Sequence, residues 1–131
     1  MKKTLFVSVL LMVAHAAMAQ PVVDDALKTF SEGGKLKFDA QRGQALWVKK
    51  FPAEDGKVHQ CTTCHGEDLT KNGKHATSGK LIEPMAPSVN PQRYTEIKKI
   101  NKWFKRNCKW TLGRECTNQE KGDLLKYLSQ Q

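Results

Sequence analysis

The sequence predicts an all-α protein with one small domain, and three observations lead to this prediction. Apolar residues recur at helical spacing near both ends of the chain and again between residues 93 and 107. Glycine and proline are concentrated between residues 66 and 91, so this segment should be mostly loop. The chain has no internal repeat and no linker long enough to divide it, so the helices should share one core.

The N-terminus has the pattern of a secretory signal peptide. Lys2 and Lys3 precede an apolar run from Leu5 to Val13, and Ala-Met-Ala at 17–19 is a cleavage site of the A-x-A type. The run is too short to span a bilayer, and no later segment approaches the roughly 18 apolar residues that a span needs. We therefore expect a cleaved signal over residues 1–19 and a soluble, periplasmic domain over residues 20–131.

Two short helices are predicted in the first part of the mature chain. The first runs from Val22 to Phe30 and ends before the glycines at 33 and 34. Asp39 is a candidate N-cap for the second, which continues to about Lys49. Gly43 falls on the same face as the apolar residues at 46 and 47, and a glycine at this point indicates close approach by another helix.

Two further helices are predicted after the loops at 52–60 and 66–91. A helix from Arg93 to Asn107 would place isoleucine, tryptophan and phenylalanine on one side and lysines on the other. Thr117 and Glu120 form a capping box, which predicts the start of the last helix. That helix would bury the leucines at 124, 125 and 128.

The motif Cys-Thr-Thr-Cys-His at residues 61–65 is the most informative feature of the sequence. Cys61 and Cys64 are spaced so that each thiol can add to a vinyl group of haem, and His65 can then bind the iron as proximal ligand. A zinc site would need a second close pair, but Cys108 and Cys116 have seven residues between them. A thioredoxin-like pair would need a βαβ unit, and no convincing strand precedes the motif. The motif and the export signal together favour one covalently bound haem c.

Cys108 and Cys116 are the two cysteines that haem attachment does not use. In an oxidising compartment they can form a disulfide, which would close a loop of about nine residues. So short a loop would add rigidity more than entropic stability. Two free thiols are the alternative.

The chain is basic, which bears on its partners. Its formal net charge is +9, and the loss of Lys2 and Lys3 with the signal leaves +7. Two haem propionates would reduce this to about +5. Export and the lack of a nucleic-acid-binding motif argue against nucleic acid as the partner. Binding to an acidic protein partner explains the charge better, and a merely solvated basic surface is the alternative.

The second axial ligand of the iron decides between electron transfer and gas binding. Met85 is the single methionine of the predicted mature chain, but it follows the motif by only twenty residues and is flanked by prolines. We therefore expect Met85 to pack against the haem, with ligation as the alternative. His59 and His75 are expected at the surface, and neither they nor Lys80 has a pattern that supports ligation.

Asn107 is an unusual residue for its position. It continues the stripe of Ile100, Trp103 and Phe104, which predicts that its amide points towards the apolar interior and that the stripe lines the haem. A buried amide without a partner costs about 1–3 kcal/mol, and haem iron could bind its carbonyl oxygen. The alternative is an asparagine that terminates a helix. The pattern alone does not decide between the two.

Several segments of the sequence together resemble the sphaeroides haem protein family. They are Cys-Thr-Thr-Cys-His-Gly at 61–66, Ile-Glu-Pro-Met-Ala-Pro-Ser at 82–88, Arg-Asn-Cys at 106–108, Gly-Arg-Glu-Cys-Thr at 113–117 and Glu-Lys-Gly-Asp-Leu-Leu at 120–125. The landmarks of the resemblance span residues 42–128, nearly the whole mature domain. Many cytochromes share the haem motif, whereas Arg-Asn-Cys followed by a second cysteine at this spacing is far more specific.

The resemblance implies a class I cytochrome c fold, a single domain with helices packed around one covalently attached haem and with N- and C-terminal helices that cross. It also implies a high-spin haem with His65 as proximal ligand and Asn107 as a sixth ligand that leaves on reduction, beside a Cys108–Cys116 disulfide. The reduced protein, a monomer, would bind oxygen, nitric oxide or carbon monoxide. Its electrons would come from a dihaem cytochrome c.

An enzyme that reduces oxygen or nitric oxide is the main alternative to a gas-binding electron-transfer protein. The predicted distal region offers no obvious general acid, which favours the protein without catalytic turnover. A methionine-ligated electron carrier is a third and weaker interpretation.

Overall fold

The computed structural model describes residues 19–131, so nearly all of the predicted signal segment lies outside the described residues. The described chain is mainly helical, as predicted, with short antiparallel hairpins in the long loops. The helices are α1 (Ala19–Phe30), α2 (Ala40–Trp47), α3 (Thr62–His65), α4 (Ile97–Leu112) and α5 (Asn118–Leu128). The hairpins pair β1 (Phe51–Pro52) with β2 (Val58–His59) and β3 (Gly73–Lys74) with β4 (Leu81–Ile82).

Helices α2 and α5 cross at Gly43, where the sequence predicts the close approach of another helix. A Cβ atom on residue 43 would lie 2.1 Å from the carbonyl oxygen of Asp123, so only glycine fits this crossing. Helix α1 is an additional element that packs against α5 and α4. The crossing partner of the C-terminal helix at this point is therefore α2, not α1, the first helix of the described residues.

The core consists of two apolar clusters, both with buried leucines of α5. The first, which we call the α2–α5 cluster, contains Trp47, Leu69, Ala86, Cys108, Cys116, Leu124 and Leu128. The second contains Val23, Ala26, Phe30, Ile100 and Leu125. Since Leu124 and Leu125 are adjacent, α5 joins the two clusters and fixes α1, α2 and α4 around itself.

Asp123 is a buried acid that ties the start of α2 to α5. Its carboxylate accepts hydrogen bonds from the Asp39 backbone N–H at 2.7 Å, from Arg42 Nε at 2.8 Å and from Gln119 Nε2 at 3.0 Å. Asp39 caps α2 in turn, because its side chain accepts from the Arg42 N–H. Four donors satisfy the carboxylate once the second Arg42 bond, at 2.9 Å, is included.

The third predicted helix is displaced in the structure. We expected it over residues 93–107, whereas α4 runs from Ile97 to Leu112. It starts late because Tyr94 has a φ of 60°, outside the helical region. It ends late because Gly113, with a φ of 73°, is the residue that closes it through an N–H bond to the Lys109 carbonyl. Asn107 therefore does not terminate a helix.

The remaining local predictions stand with small changes. Thr117 and Glu120 form both halves of the predicted capping box. The loops at 52–60 and 66–91 are irregular, as expected, apart from the two hairpins that the sequence did not predict. Within residues 19–131, none of the helices has the length and apolar character needed to cross a membrane.

Candidate haem site

The Cys-x-x-Cys-His motif folds into the single turn of α3. The Cys61 carbonyl accepts hydrogen bonds from the N–H groups of Cys64 at 3.3 Å and His65 at 3.2 Å. The β3–β4 hairpin supports this turn at Gly73, where a Cβ would lie 2.2 Å from the Cys64 carbonyl oxygen. Close packing of backbone on backbone therefore holds the motif in place without side chains between them.

The two motif cysteines differ in their surroundings. Burial raises the pKa of Cys61 to about 11, and the neighbouring Cys64 adds to this effect, so the Cys61 thiol is neutral at pH 7. Cys61 packs against the α2–α5 cluster, whereas the Cys64 sulfur accepts a hydrogen bond from the Ala76 N–H at 3.4 Å. Each sulfur thus has a fixed environment and is unpaired with the other.

His65 is held as a neutral imidazole beside Trp47. The two ring centroids are 5.3 Å apart. Burial lowers the pKa of His65 to about 4, and the charge of Arg93 lowers it further. A neutral imidazole is the form that binds metals. His65 Nδ1 and Trp47 Nε1 are both buried without a hydrogen-bond partner among the described residues.

These residues fit a haem group. A buried polar atom without a partner costs about 1–3 kcal/mol, so the two nitrogens of Trp47 and His65 mark a place where another group is needed. Haem brings carboxylate acceptors and an iron, and the two thiols lie next to it in the same motif. No three His, Cys, Asp or Glu side chains converge on a possible ion site within residues 19–131, which argues against zinc.

Met85 lies in the segment of residues 83–86, which is hydrogen-bonded to the loop after the motif. We call this segment the Met85 wall. The Met85 and Ala86 N–H groups both donate to the Leu69 carbonyl, at 3.0 and 2.9 Å. The Met85 side chain packs against the α2–α5 cluster, which also contains Trp47 and is contacted by Cys61. Met85 therefore belongs to the part of the chain that carries His65.

Three side chains, which we call the carbonyl clamp, bind backbone carbonyls of this wall. Arg93 donates through Nε to the Pro84 carbonyl at 2.8 Å and through Nη2 to the Glu83 carbonyl at 2.6 Å. The Tyr94 hydroxyl donates to the Met85 carbonyl at 2.9 Å. Asn90 Nδ2 adds a 3.3 Å bond to Pro84. Three consecutive carbonyls are thus bound by Asn90, Arg93 and Tyr94.

Tyr94, a member of the clamp, has a strained backbone conformation. Its φ of 60° is rare for a bulky residue and costs about 1–3 kcal/mol. The Tyr94 ring packs against both core clusters, and burial raises the pKa of its hydroxyl. The ring packing and the bond to Met85 offset the backbone cost, which keeps this residue in place.

The side chains of the core do not bury Asn107, contrary to the expectation from the sequence. Asn107 is exposed, and Trp103 has 46% of its surface exposed. The inward stripe of α4 instead runs through Ile100, Cys108 and Thr111, with Phe104 half-buried. Each residue of an α-helix turns by about 100°. Asn107, three positions after Phe104, therefore lies about 60° around the helix from the inward stripe.

Asn107 lies on the side of α4 that faces the segment leading into the motif. Trp110, one turn further along this side, stacks on His59 with ring centroids 4.1 Å apart and planes 5° from parallel. His59 is two residues before Cys61. Cys108 forms the predicted disulfide with Cys116, with their Cα atoms 5.5 Å apart.

A cleft of about 270 Å³ opens between α4 and the motif. It is lined by Asp55, Lys57, Val58, His59, Thr63, Ala76, Thr77 and Trp110. Thr63 belongs to the motif itself, so the cleft lies between the haem-binding turn and the end of the helix that carries Asn107.

The exposed side of α4 is strongly basic. Lys102 Nζ and Arg106 Cζ lie 5.9 and 5.2 Å from the Trp103 ring centroid, which gives this tryptophan two cation–π contacts. The exposed basic residues of the helix are Lys98, Lys99, Lys102, Lys105, Arg106 and Lys109. Three more exposed lysines, Lys71, Lys74 and Lys80, lie in the loop after the motif.

The structure brings four of the predicted site residues together and leaves two on a neighbouring surface. Cys61 and Met85 pack against the α2–α5 cluster, and Cys64 and His65 lie in the same turn as Cys61, whereas Trp103 and Asn107 are exposed on α4. The contributions of Trp47, the carbonyl clamp and the His59–Trp110 pair were not predicted from the sequence. Only Trp47 had a usable signal, since an indole at the end of a core-facing helix stripe needs a partner for its N–H.

Comparison with known proteins supports this site. A family model described as "Domain of unknown function (DUF1924)" matches residues 33–128. Cytochrome c-type protein SHP of Cereibacter sphaeroides is 45% identical over 93 residues, which cover 71% of each chain. Cytochrome c″ of Methylophilus methylotrophus is 36% identical over 86 residues, 66% of this chain and 60% of that relative, so the chain spans less than two thirds of its length.

Two solved structures share the fold. The structure of oxidised SHP, described as an oxygen-binding cytochrome c, has a TM-score of 0.75 and 37% identity, and the match covers 83% of this chain and 96% of that one. Oxidised cytochrome c″ of Methylophilus methylotrophus has a TM-score of 0.73 and 29% identity, with 86% and 94% covered.

The fold, the motif and these relatives define a c-type cytochrome, and haem c is the cofactor that this class implies. Within the class, the chain belongs to the family described as DUF1924, and its 45% identity to SHP places it in the sphaeroides haem protein family. The resemblance noted in the sequence is thereby confirmed.

Proposed function

We propose that the protein is an exported, monohaem c-type cytochrome of class I architecture that binds a diatomic gas in its reduced state. Only one Cys-x-x-Cys-His is present in the sequence, so one haem is attached, through Cys61 and Cys64. Its iron, when bound, supplies one-electron redox chemistry and a coordination site for gases. His65 would hold the iron with its neutral imidazole, and Asn107 would supply the second protein ligand.

One observation carries the assignment of Asn107. The side of α4 that presents Asn107 also presents Trp110, and Trp110 stacks on His59, two residues before Cys61. Asn107 is therefore an uncharged polar residue on the side of α4 that contacts the segment leading into the motif. The Cys108–Cys116 disulfide holds the helix directly after it, so the amide is presented from a rigid backbone.

The position of Met85 argues against a methionine-ligated electron carrier. Met85 is hydrogen-bonded through its backbone to Leu69, four residues after His65, and its carbonyl is held by Tyr94. These bonds tie Met85 to the loop that follows His65, so we assign the face opposite His65 to Asn107, which belongs to the separate segment α4.

The chemistry of the amide explains how redox state would control binding. Asn107 offers a neutral, hard oxygen donor, which favours ferric over the softer ferrous iron. Asn107 would therefore hold the ferric iron and exclude weak external ligands, and reduction would weaken this bond. His65 keeps its place in both states because Trp47 packs against its ring.

The test compares optical spectra of wild type, Asn107→Ala and Met85→Leu in both redox states. The ferric wild type should be six-coordinate and high-spin, and the reduced protein should be five-coordinate and take up nitric oxide or carbon monoxide rapidly. Asn107→Ala should open the ferric site, whereas Met85→Leu should leave the spin state unchanged. A low-spin ferric spectrum that Met85→Leu abolishes would contradict the proposal and indicate a methionine-ligated carrier.

Covalent attachment is tested separately by extraction. Haem bound through Cys61 and Cys64 stays with the protein in acidified organic solvent, and mass spectrometry should find one haem per chain. Extractable haem would contradict this part of the proposal.

The electron donor that we propose is an acidic redox protein such as a dihaem cytochrome c. The basic side of α4 supports this choice, because its exposed lysines would attract an acidic partner over a distance of about a Debye length. The second candidate is an enzyme that reduces oxygen or nitric oxide, and the cleft of about 270 Å³ beside Thr63 is large enough for either gas. Gas consumption that exceeds auto-oxidation in the presence of the electron donor would establish that enzyme.

A further inference from the structure

His59 and Trp110 form the direct contact between α4 and the strand that enters the haem motif. Their rings are stacked at 4.1 Å with planes 5° from parallel. His59 Nδ1 also lies 2.8 Å from the Trp110 carbonyl oxygen. The same two residues thus fix both the plane of the indole and the backbone that carries it.

The hydrogen bond fixes which ring nitrogen faces the helix. A carbonyl oxygen can only accept, so Nδ1 is the donor in this bond. The Trp110 carbonyl belongs to the last turn of α4, where carbonyls lack partners within the helix. His59 therefore caps a helix end from a residue 51 positions away in the sequence.

The pair lies on the same side of α4 as Asn107. Trp110 follows Asn107 by three residues, and His59 precedes Cys61 by two. The disulfide from Cys108 to Cys116 ties α4 to the residues just before α5, whereas α4 meets the segment that leads into the motif at β2. The separation of Asn107 from the motif therefore depends on the contact between α4 and β2.

We propose that His59 and Trp110 act as a pair of positioning residues that keep Asn107 over the iron and set how readily it leaves. This inference rests on the proposed function, because it assumes that Asn107 is the sixth ligand. In it, neither residue touches the iron. Loss of the pair lets the end of α4 move away from the motif and weakens Asn107 as a competitor of external ligands.

The experiment measures azide binding to the ferric holoprotein by optical titration. His59→Phe keeps the stack and removes the hydrogen bond, His59→Gln keeps a donor and removes the stack, and Trp110→Ala removes the stacked indole. Azide should bind about tenfold more tightly to Trp110→Ala than to wild type, the factor that corresponds to one lost hydrogen bond or stacking contact. The two His59 variants should fall between them.

Two comparisons separate positioning from general loss of stability. Asn101→Ala, an exposed and neutral change on the same helix, should bind azide as wild type does. In an Asn107→Ala background, where no amide competes, Trp110→Ala should add nothing to the azide affinity. A merely structural role of the pair would lower the melting temperature without this dependence on Asn107.

The outcomes also distinguish this inference from the proposed function. If Asn107→Ala increases azide affinity while the His59 and Trp110 variants match wild type, the positioning role is wrong and the ligand assignment stands. If Asn107→Ala itself leaves azide affinity unchanged, the ligand assignment is wrong and the positioning role is wrong with it. An equal effect of Trp110→Ala with and without Asn107 would also refute the positioning role.

Discussion

Gly43 of α2 lies so close to the Asp123 carbonyl of α5 that a Cβ on residue 43 would be 2.1 Å from the oxygen. The helices can cross at this distance only because the glycine has no side chain. Replacing it with alanine improves helix propensity by up to about 1 kcal/mol but forces two backbones apart. The second effect is larger, since the atoms that must move belong to the main chain.

We therefore predict that Gly43→Ala lowers the free energy of unfolding by about 3 kcal/mol, at the upper end of the usual cost of overpacking. Denaturant titration of the holoprotein measures this change. Gln44→Ala is the matched control, because residue 44 is exposed on the same helix and should change stability by less than about 0.5 kcal/mol. Equal stability of the two variants would show that the helices do not cross at residue 43.

The disulfide should contribute measurably to stability. For a loop closed between residues 108 and 116, the chain-entropy relation gives about 2.5 kcal/mol. Replacing both cysteines with alanine should lower the unfolding free energy by this amount or more, because both side chains are also buried in the α2–α5 cluster. Mass mapping of unreduced protein should find the linked peptides, and alkylatable thiols at both positions would contradict the bond.

The start of α5 should be sensitive to acid. The hydrogen bond from Arg114 holds the pKa of Glu120 below its usual value of 4.5, and the Thr117 N–H adds to this effect. A depressed carboxyl pKa stabilises the fold fully above pH 4.5 and loses its contribution as the pH falls through the lower, folded value. Glu120→Gln should therefore cost about 1 kcal/mol at pH 7.

The difference between wild type and Glu120→Gln should shrink below pH 4.5, and thermal unfolding across pH 3–7 measures it. Glu115→Gln is the control, since it removes the same charge from an exposed neighbour outside the capping box. A pH-independent difference would mean that the glutamate acts through packing and not through its charge.

Electron transfer from an acidic donor should depend strongly on salt. The basic residues of α4 attract such a donor, and the Debye length falls to about 8 Å at physiological ionic strength. The bimolecular rate should therefore drop as salt is raised, and it should drop less in a Lys102→Gln, Lys105→Gln variant. A neutral small-molecule reductant is the control. A rate that salt does not alter would show that these lysines only solvate the surface.

Local features of this fold could be predicted from the sequence because neighbouring residues determine them. The cap at Asp39 and the capping box at Thr117 each involve residues three apart, and both are formed as predicted. The haem motif was recognisable for the same reason. Gly43 was informative because a glycine in a core-facing helix stripe lowers helix propensity, a loss that close approach of a second backbone can offset.

Contacts between distant residues could not be predicted in this way. The start of α4 depends on the left-handed Tyr94, whose conformation is stabilised by a bond to Met85 nine residues earlier. The orientation of Asn107 depends on whether the inward stripe continues through residues 103 and 107 or through 104 and 108, which differ by one helical position. In the structure the inward stripe continues through residues 104 and 108, because the packing of α4 buries Cys108.

The carbonyl clamp has a consequence for redesign of the pocket. Asn90, Arg93 and Tyr94 bind the main chain of residues 83–85, and none of these bonds uses the Met85 side chain. The contour of this wall is thus maintained by atoms that every amino acid possesses. Position 85 can accept side chains of different size while the loop keeps its course, which makes it a natural place to vary when the packing around the haem is redesigned.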